Sequence, residues 1–142
     1  MIVLDTNVLS EAMSSSPHPA VRQWLAQQSN HQLYTSSVSM AEILQGIELL
    51  PQGKRRAGLL AASQAMFSGL FPARVLPFHE DAARAFAPIA VNRRTHGRPI
   101  SLFDAQIAAI ARAHGATLAT RDTDDFEGCG VRIVNPWDPS QS

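Results

Sequence analysis

The chain opens on an unbroken apolar run over residues 2–4 that stops at Asp5. A continuous apolar run of this kind suits a strand covered on both faces. Further short strand-like stretches are expected at 33–35, 74–76, 116–119 and 131–134. Between them the apolar residues follow a helical period. A helix over 19–28 turns Val21, Trp24 and Leu25 inward. A second, over 39–50, places Met40, Ile43, Leu44, Ile47 and Leu50 on one stripe. Others follow at 55–67, 81–94 and 102–114, the last ended by Gly115. Strands alternating with helices predict an α/β domain with a central parallel sheet of about five strands and helices on both faces. The SSSPHP stretch at 14–19 is a loop, and residues 136–142 form a loose tail, frayed over 138–142. A single domain spans residues 1–142.

This architecture gives the acidic residues a place. In an open parallel sheet, sites form beyond the carboxyl ends of the strands. Asp5 ends the first strand. Glu42 lies in the first turn of the helix after the second strand. Asp104 opens the helix that leads back to the strand at 116–119, and Asp122 follows that strand directly. Four acids from four distant segments thus share one rim. Each also has a simpler reading. Ser39 to Glu42 and Ser101 to Asp104 both fit a capping box, Asp122 to Asp125 fits a short capped turn, and Asp5 fits the N-cap of a helix starting near Asn7. Together they fit a cation better than four caps. Crowded carboxylates raise one another's pKa unless a positive charge sits among them. Oxygen donors without His or Cys suit a hard ion, Mg²⁺ or Mn²⁺. Such an ion activates water against a phosphodiester.

Composition narrows the field. Of 142 residues, 45% are hydrophobic and 17% charged, and the formal net charge is zero. That is a globular chain whose overall charge argues neither for nor against nucleic acid. Its cations are eleven Arg and one Lys. The NRRTHGRP stretch at 92–99 sets Arg93, Arg94 and Arg98 just before Asp104, where they could steer phosphates to the acidic rim; Arg121 beside Asp122 could contact phosphate or simply neutralise the acids. The alternative for the stretch is a solvated helix C-terminus. His79 and His114 lie at helix ends and read as structural. Cys129, the lone cysteine, rules out an internal disulfide, and no stretch is long enough to span a bilayer, so a cytoplasmic location is expected.

Four segments in order, MIVLDTNVLSE, SVSMAEILQGI, PISLFDAQIAAIARAHGATLATRDTDDFEG and VRIVNPW, resemble the PIN-domain endoribonucleases. The nearest branch is the VapC/FitB-like toxins of type II toxin–antitoxin pairs, and the likeness covers essentially the whole chain. It implies a PIN-like fold and Mg²⁺- or Mn²⁺-dependent hydrolysis of RNA by a metal-activated water. Asp5, Glu42, Asp104 and Asp122 would be the catalytic, metal-binding quartet. Thr6, Asn7, Thr120 and Asp125 would support it. The implied partners are a cognate antitoxin that inhibits the toxin, an RNA substrate, a second copy in a homodimer, and promoter DNA reached only through the antitoxin; no membrane is implied.

Two other function classes compete. A phosphotransfer enzyme or receiver also wants an Asp after the first strand, but the D-x-D of phosphatases is D-T-N here, and Lys54 is the wrong lysine for a receiver. A catalytically weak module acting mainly as an antitoxin-bound co-repressor has no need to keep mutually repelling acids.

Overall fold

The computed structural model describes residues 1–141. Five parallel strands form one sheet in the order β3-β2-β1-β4-β5. They are β1 (Ile2–Leu4), β2 (Leu33–Ser36), β3 (Val75–Leu76), β4 (Thr117–Ala119) and β5 (Arg132–Val134). Among the described residues six α-helices accompany them: α1 (Thr6–Ala12), α2 (Pro19–Gln27), α3 (Ser37–Glu48), α4 (Lys54–Gly69), α5 (Glu80–Thr95) and α6 (Leu102–Ala113). The α/β layout with a central parallel sheet, expected from the alternation of patterns, is therefore the one present. Ser142, in the tail expected to fray, lies outside the described residues.

The first strand sits in the middle. Leu4 pairs in register with Thr35 on one side and Ala119 on the other. Alternate residues of β1 feed two cores. Val3 packs with Ile107, Ile110 and Leu118 under α5 and α6. Ile2 and Leu4 pack with Val8, Trp24 and Ile47 under α1 to α4. That double coverage explains why the opening run is continuous rather than alternating. The strand order reverses between β1 and β4, and at such a switch point the carboxyl ends open into a crevice.

Two local expectations change. A short α1 begins directly at Thr6, with Asp5 as its N-cap. The helix expected from residue 39 begins at Ser37, because the Ser36 hydroxyl takes the Ser39 N–H at 2.9 Å. The inward stripe is narrower than expected: Ile43 and Ile47 are buried with Val38 and Ser39, whereas Leu44 is exposed. Helix α5, expected over 81–94, runs from Glu80 to Thr95 and includes Pro88. Among the described residues no helix is long and apolar enough to cross a membrane.

Candidate active site

Asp5 stands at the crevice between β1 and β4, 5% exposed. Its backbone N–H continues the ladder to the Ala119 carbonyl at 2.9 Å, so the residue is held as rigidly as the strand. Its two carboxylate oxygens are used separately. Oδ1 accepts the Thr6 N–H at 2.8 Å, and Oδ2 accepts the Thr120 hydroxyl at 2.7 Å. Capping and site-building are thus the same act here, since α1 starts where it does because Asp5 turns one oxygen back to it. Burial pushes the Asp5 carboxyl up to about 6, against the two hydrogen bonds and helped by the nearby Asp104 and Glu42.

Glu42 is not a cap. With α3 starting at Ser37, it sits in the second turn rather than the first, and its Oε1 accepts the Thr6 hydroxyl at 2.7 Å. The same hydroxyl lies 3.0 Å from that of Ser39, a buried residue that sequence reasoning had placed only as a cap. Urea unfolding separates the two roles. Ser36→Ala is expected to cost about 1 kcal/mol, the usual worth of an N-cap, whereas Glu42→Gln, which keeps an oxygen to accept the Thr6 hydroxyl, should change stability by less than about 0.5 kcal/mol.

Asp104 lies in the first turn of α6, where Ser101 Oγ caps its N–H at 3.2 Å. Its carboxyl is raised, by burial first and then by Asp125, Glu42 and Asp122, with a hydrogen bond from Ser101 opposing. Asp122 follows β4 and accepts from Asn7 Nδ2 at 3.1 Å. Thr120 knits these pieces together: it donates to Asp5, accepts the Asp122 N–H at 3.0 Å, and lies 3.4 Å from Asn7 Nδ2.

Asp5, Glu42, Asp104 and Asp122 line one cavity of about 380 Å³ together with Thr6, Asn7, Arg121 and Trp137. Asp125 does not line it, although its charge acts on Asp104. Its N–H instead closes a turn on the Asp122 carbonyl at 3.1 Å. Glu11, also on the wall, accepts the His18 N–H at 2.7 Å and so ties α1 to α2.

Among the described residues no three His, Cys, Asp or Glu side chains already converge as a metal cage. The donor set still fits a hard divalent ion. It is all oxygen, and such an ion is commonly held by one or two carboxylates with waters filling the remaining places. Two acids poised above their ordinary pKa by burial and by neighbouring carboxylates are stabilised by a nearby cation.

The basic stretch divides. Arg94 is exposed. Arg98 pairs with Glu127 at 3.0 Å and donates to the Asp124 carbonyl. Arg93 is corrected: it is 6% exposed and presents no charge to a phosphate. Its Nε donates to the Arg98 carbonyl at 2.7 Å, and its Nη1 to the carbonyls of Asp125 and Glu127 at 2.6 and 2.9 Å. It is a latch on the loop after β4. The i, i+4 spacing from Ile89, which is also buried, was the signal that could have marked it. Trp137 on the cavity wall was missed altogether. It follows the last strand in the NPW sequence, where a tail was expected.

The PIN domain family model matches residues 2–129. The chain is 42% identical to the VapC ribonuclease Y4jK of Sinorhizobium fredii, covering 99% of this chain and all of that protein. It is 39% identical to toxin FitB of Neisseria gonorrhoeae over 96% of this chain and 99% of the toxin. A solved structure of FitAB bound to an IR36 DNA fragment superposes with a TM-score of 0.90 at 39% identity, covering 97% of this chain and 96% of that one.

Proposed function

This chain belongs to the PIN-domain family, in its VapC/FitB branch, and from that premise we propose that it is the toxin of a type II toxin–antitoxin pair that hydrolyses RNA phosphodiesters. The observation that carries the reading is the convergence of Asp5, Glu42, Asp104 and Asp122, from four separate segments, on one cavity at the sheet's switch point. PIN nucleases generally depend on a divalent metal; Mg²⁺ or Mn²⁺ is the ion proposed here. Asp5 and Asp104 would hold it directly, and Glu42 and Asp122 would hold its waters. When bound, the ion neutralises charge on the phosphate and makes a water it carries acidic enough to attack.

The protein's own work is positioning. Thr120 holds one Asp5 oxygen and fixes the backbone of Asp122. Thr6 holds Glu42, and Asn7 holds Asp122. A carboxylate oxygen has two lone pairs, so these single hydrogen bonds leave acceptor capacity on Asp5, Glu42 and Asp122 for a metal or its waters. Asp125 supports the loop rather than lining the cavity, which favours Asp122 as the fourth acid.

The relatives' names carry the partners as well. A solved neighbour is FitAB bound to DNA. We infer for this chain a cognate antitoxin, with promoter DNA reached through it. An apolar groove of about 360 Å³, lined by Met13, Ile43, Ile47 and Leu59, adjoins the acids and shares Thr6 and Glu42 with them. A segment seated there would cover the cavity. Exposed Val91, Leu102 and Phe103 on α5 and α6 supply an apolar surface for a second copy. The free Cys129 and the chemistry of the reaction suit the cytoplasm.

Single-turnover cleavage of a structured RNA tests the function. Cleavage is expected with Mn²⁺ and none with EDTA, with activity restored by excess Mn²⁺. Cleavage that persists in EDTA would sink the proposal.

A further inference from the structure

Among the described residues lining the acid cavity, Arg121 is the one cation, set against Asp5, Glu11, Glu42, Asp104 and Asp122. An arginine so placed should fold onto a carboxylate, as Arg98 folds onto Glu127 at 3.0 Å. Arg121 does not. The ion pairs among the described residues are Arg56–Glu48, Arg84–Glu80 and Arg98–Glu127. The Arg121 guanidinium instead lies over the indole of Trp137, its Cζ 5.3 Å from the ring centroid. Both residues are held by their backbones. The Arg121 backbone N–H donates to Asn7 Oδ1 at 3.3 Å. The Trp137 backbone N–H donates to Asn135 Oδ1 at 2.9 Å, and its half-buried ring packs against the core.

A ring face attracts a guanidinium without using its N–H donors. The five donors of Arg121 are therefore kept for something else, in a cavity that a polyanion must enter against negative charge. We infer that Trp137 is a positioning residue that holds Arg121 off the carboxylates as an RNA-phosphate contact, the two forming a backbone subsite beside the metal-binding acids. This rests on the ribonuclease reading above. Simple neutralisation of the acids by Arg121 would place its guanidinium on Asp122 or Glu11, where it is not.

The test is fluorescence anisotropy of a labelled RNA hairpin with a single-stranded loop, in EDTA and across a KCl series. Arg121→Ala is expected to weaken binding about tenfold and to lower the salt slope by about 1, as loss of one phosphate contact does. Trp137→Leu keeps much of the packing volume but removes the ring face, and should weaken binding several-fold. Trp137→Phe should stay near wild type. Arg121→Ala/Trp137→Leu should bind no worse than Arg121→Ala alone, because Trp137 acts through Arg121. Equal behaviour of the Leu and Phe variants, or additive losses in the double variant, would overturn the inference. A wild-type chain that binds RNA and cleaves it with Mn²⁺, while Arg121→Ala binds as well, would overturn the subsite and leave the ribonuclease reading standing. A wild-type chain that binds no RNA would overturn both.

Discussion

Asp5→Asn is expected to abolish metal-dependent RNA cleavage while making the metal-free protein more stable. The catalytic loss should be roughly 10³-fold or more, equivalent to about 4 kcal/mol of transition-state stabilisation. The gain in stability follows from the state of the carboxyl. Burial raises Asp5 to about 6 in the folded chain, against about 3.9 when unfolded. Between those values the folded state holds a proton that the unfolded state has lost, so stability falls as pH rises through that window. The difference is worth about 3 kcal/mol at neutral pH as an upper figure. Asp104, raised in the same direction, adds to the trend. Melting in EDTA should therefore show a wild-type Tm that climbs as pH drops from 7 to 5. Asn still caps α1 and carries no charge, so the variant should melt higher at pH 7 and show a flatter profile. A wild-type Tm that falls on acidification from 7 to 5 would contradict the assignment. Saturating Mg²⁺ should remove most of the difference, because the ion favours the ionised carboxylate.

Arg93→Ala should be the most damaging single change outside the acids. It strips three carbonyls, those of Arg98, Asp125 and Glu127, of a buried charged donor. Hydrogen bonds to charged groups are worth about 1.5–3 kcal/mol each, and they are lost together here. Allowing for relaxation and water entry, a cost of about 3–4 kcal/mol by urea unfolding is expected. Arg93→Lys should recover less than half, since an ammonium cannot fork between carbonyls. The loop from Asp122 to Glu127 is anchored by this residue, so cleavage should fall even under conditions where the variant remains folded. A variant as stable as wild type would show that the carbonyls find water instead.

What could be read in the sequence follows from how local each cause is. Asp5 was legible because a buried run that ends in an acid leaves few alternatives. Asp104 was legible because Ser101 caps it within three residues. Glu42 was placed on the right rim for a partly wrong reason. The stretch TSSVSM offers three serines as helix starts, and the register of β2 selects Ser36. The short α1 is held by packing and an N-cap, for Thr, Asn, Val and Ser have little helix propensity of their own. Arg93 and Arg94 look alike in sequence. Only the return of the 122–128 loop onto α5 decides that one is a buried latch and the other a solvated charge.

Under the ribonuclease reading proposed above, the central position of β1 also sets when activity can first arise. Synthesis delivers the N-terminus first, yet the neighbour that completes β1 and the Thr120 hydroxyl that orients Asp5 come from near the other end. A chain interrupted at Gly115 has three of the four acids but no β4 to gather them around. Premature termination would thus release fragments with no assembled acid cavity, so the proposed activity is expected only from chains whose translation is all but finished.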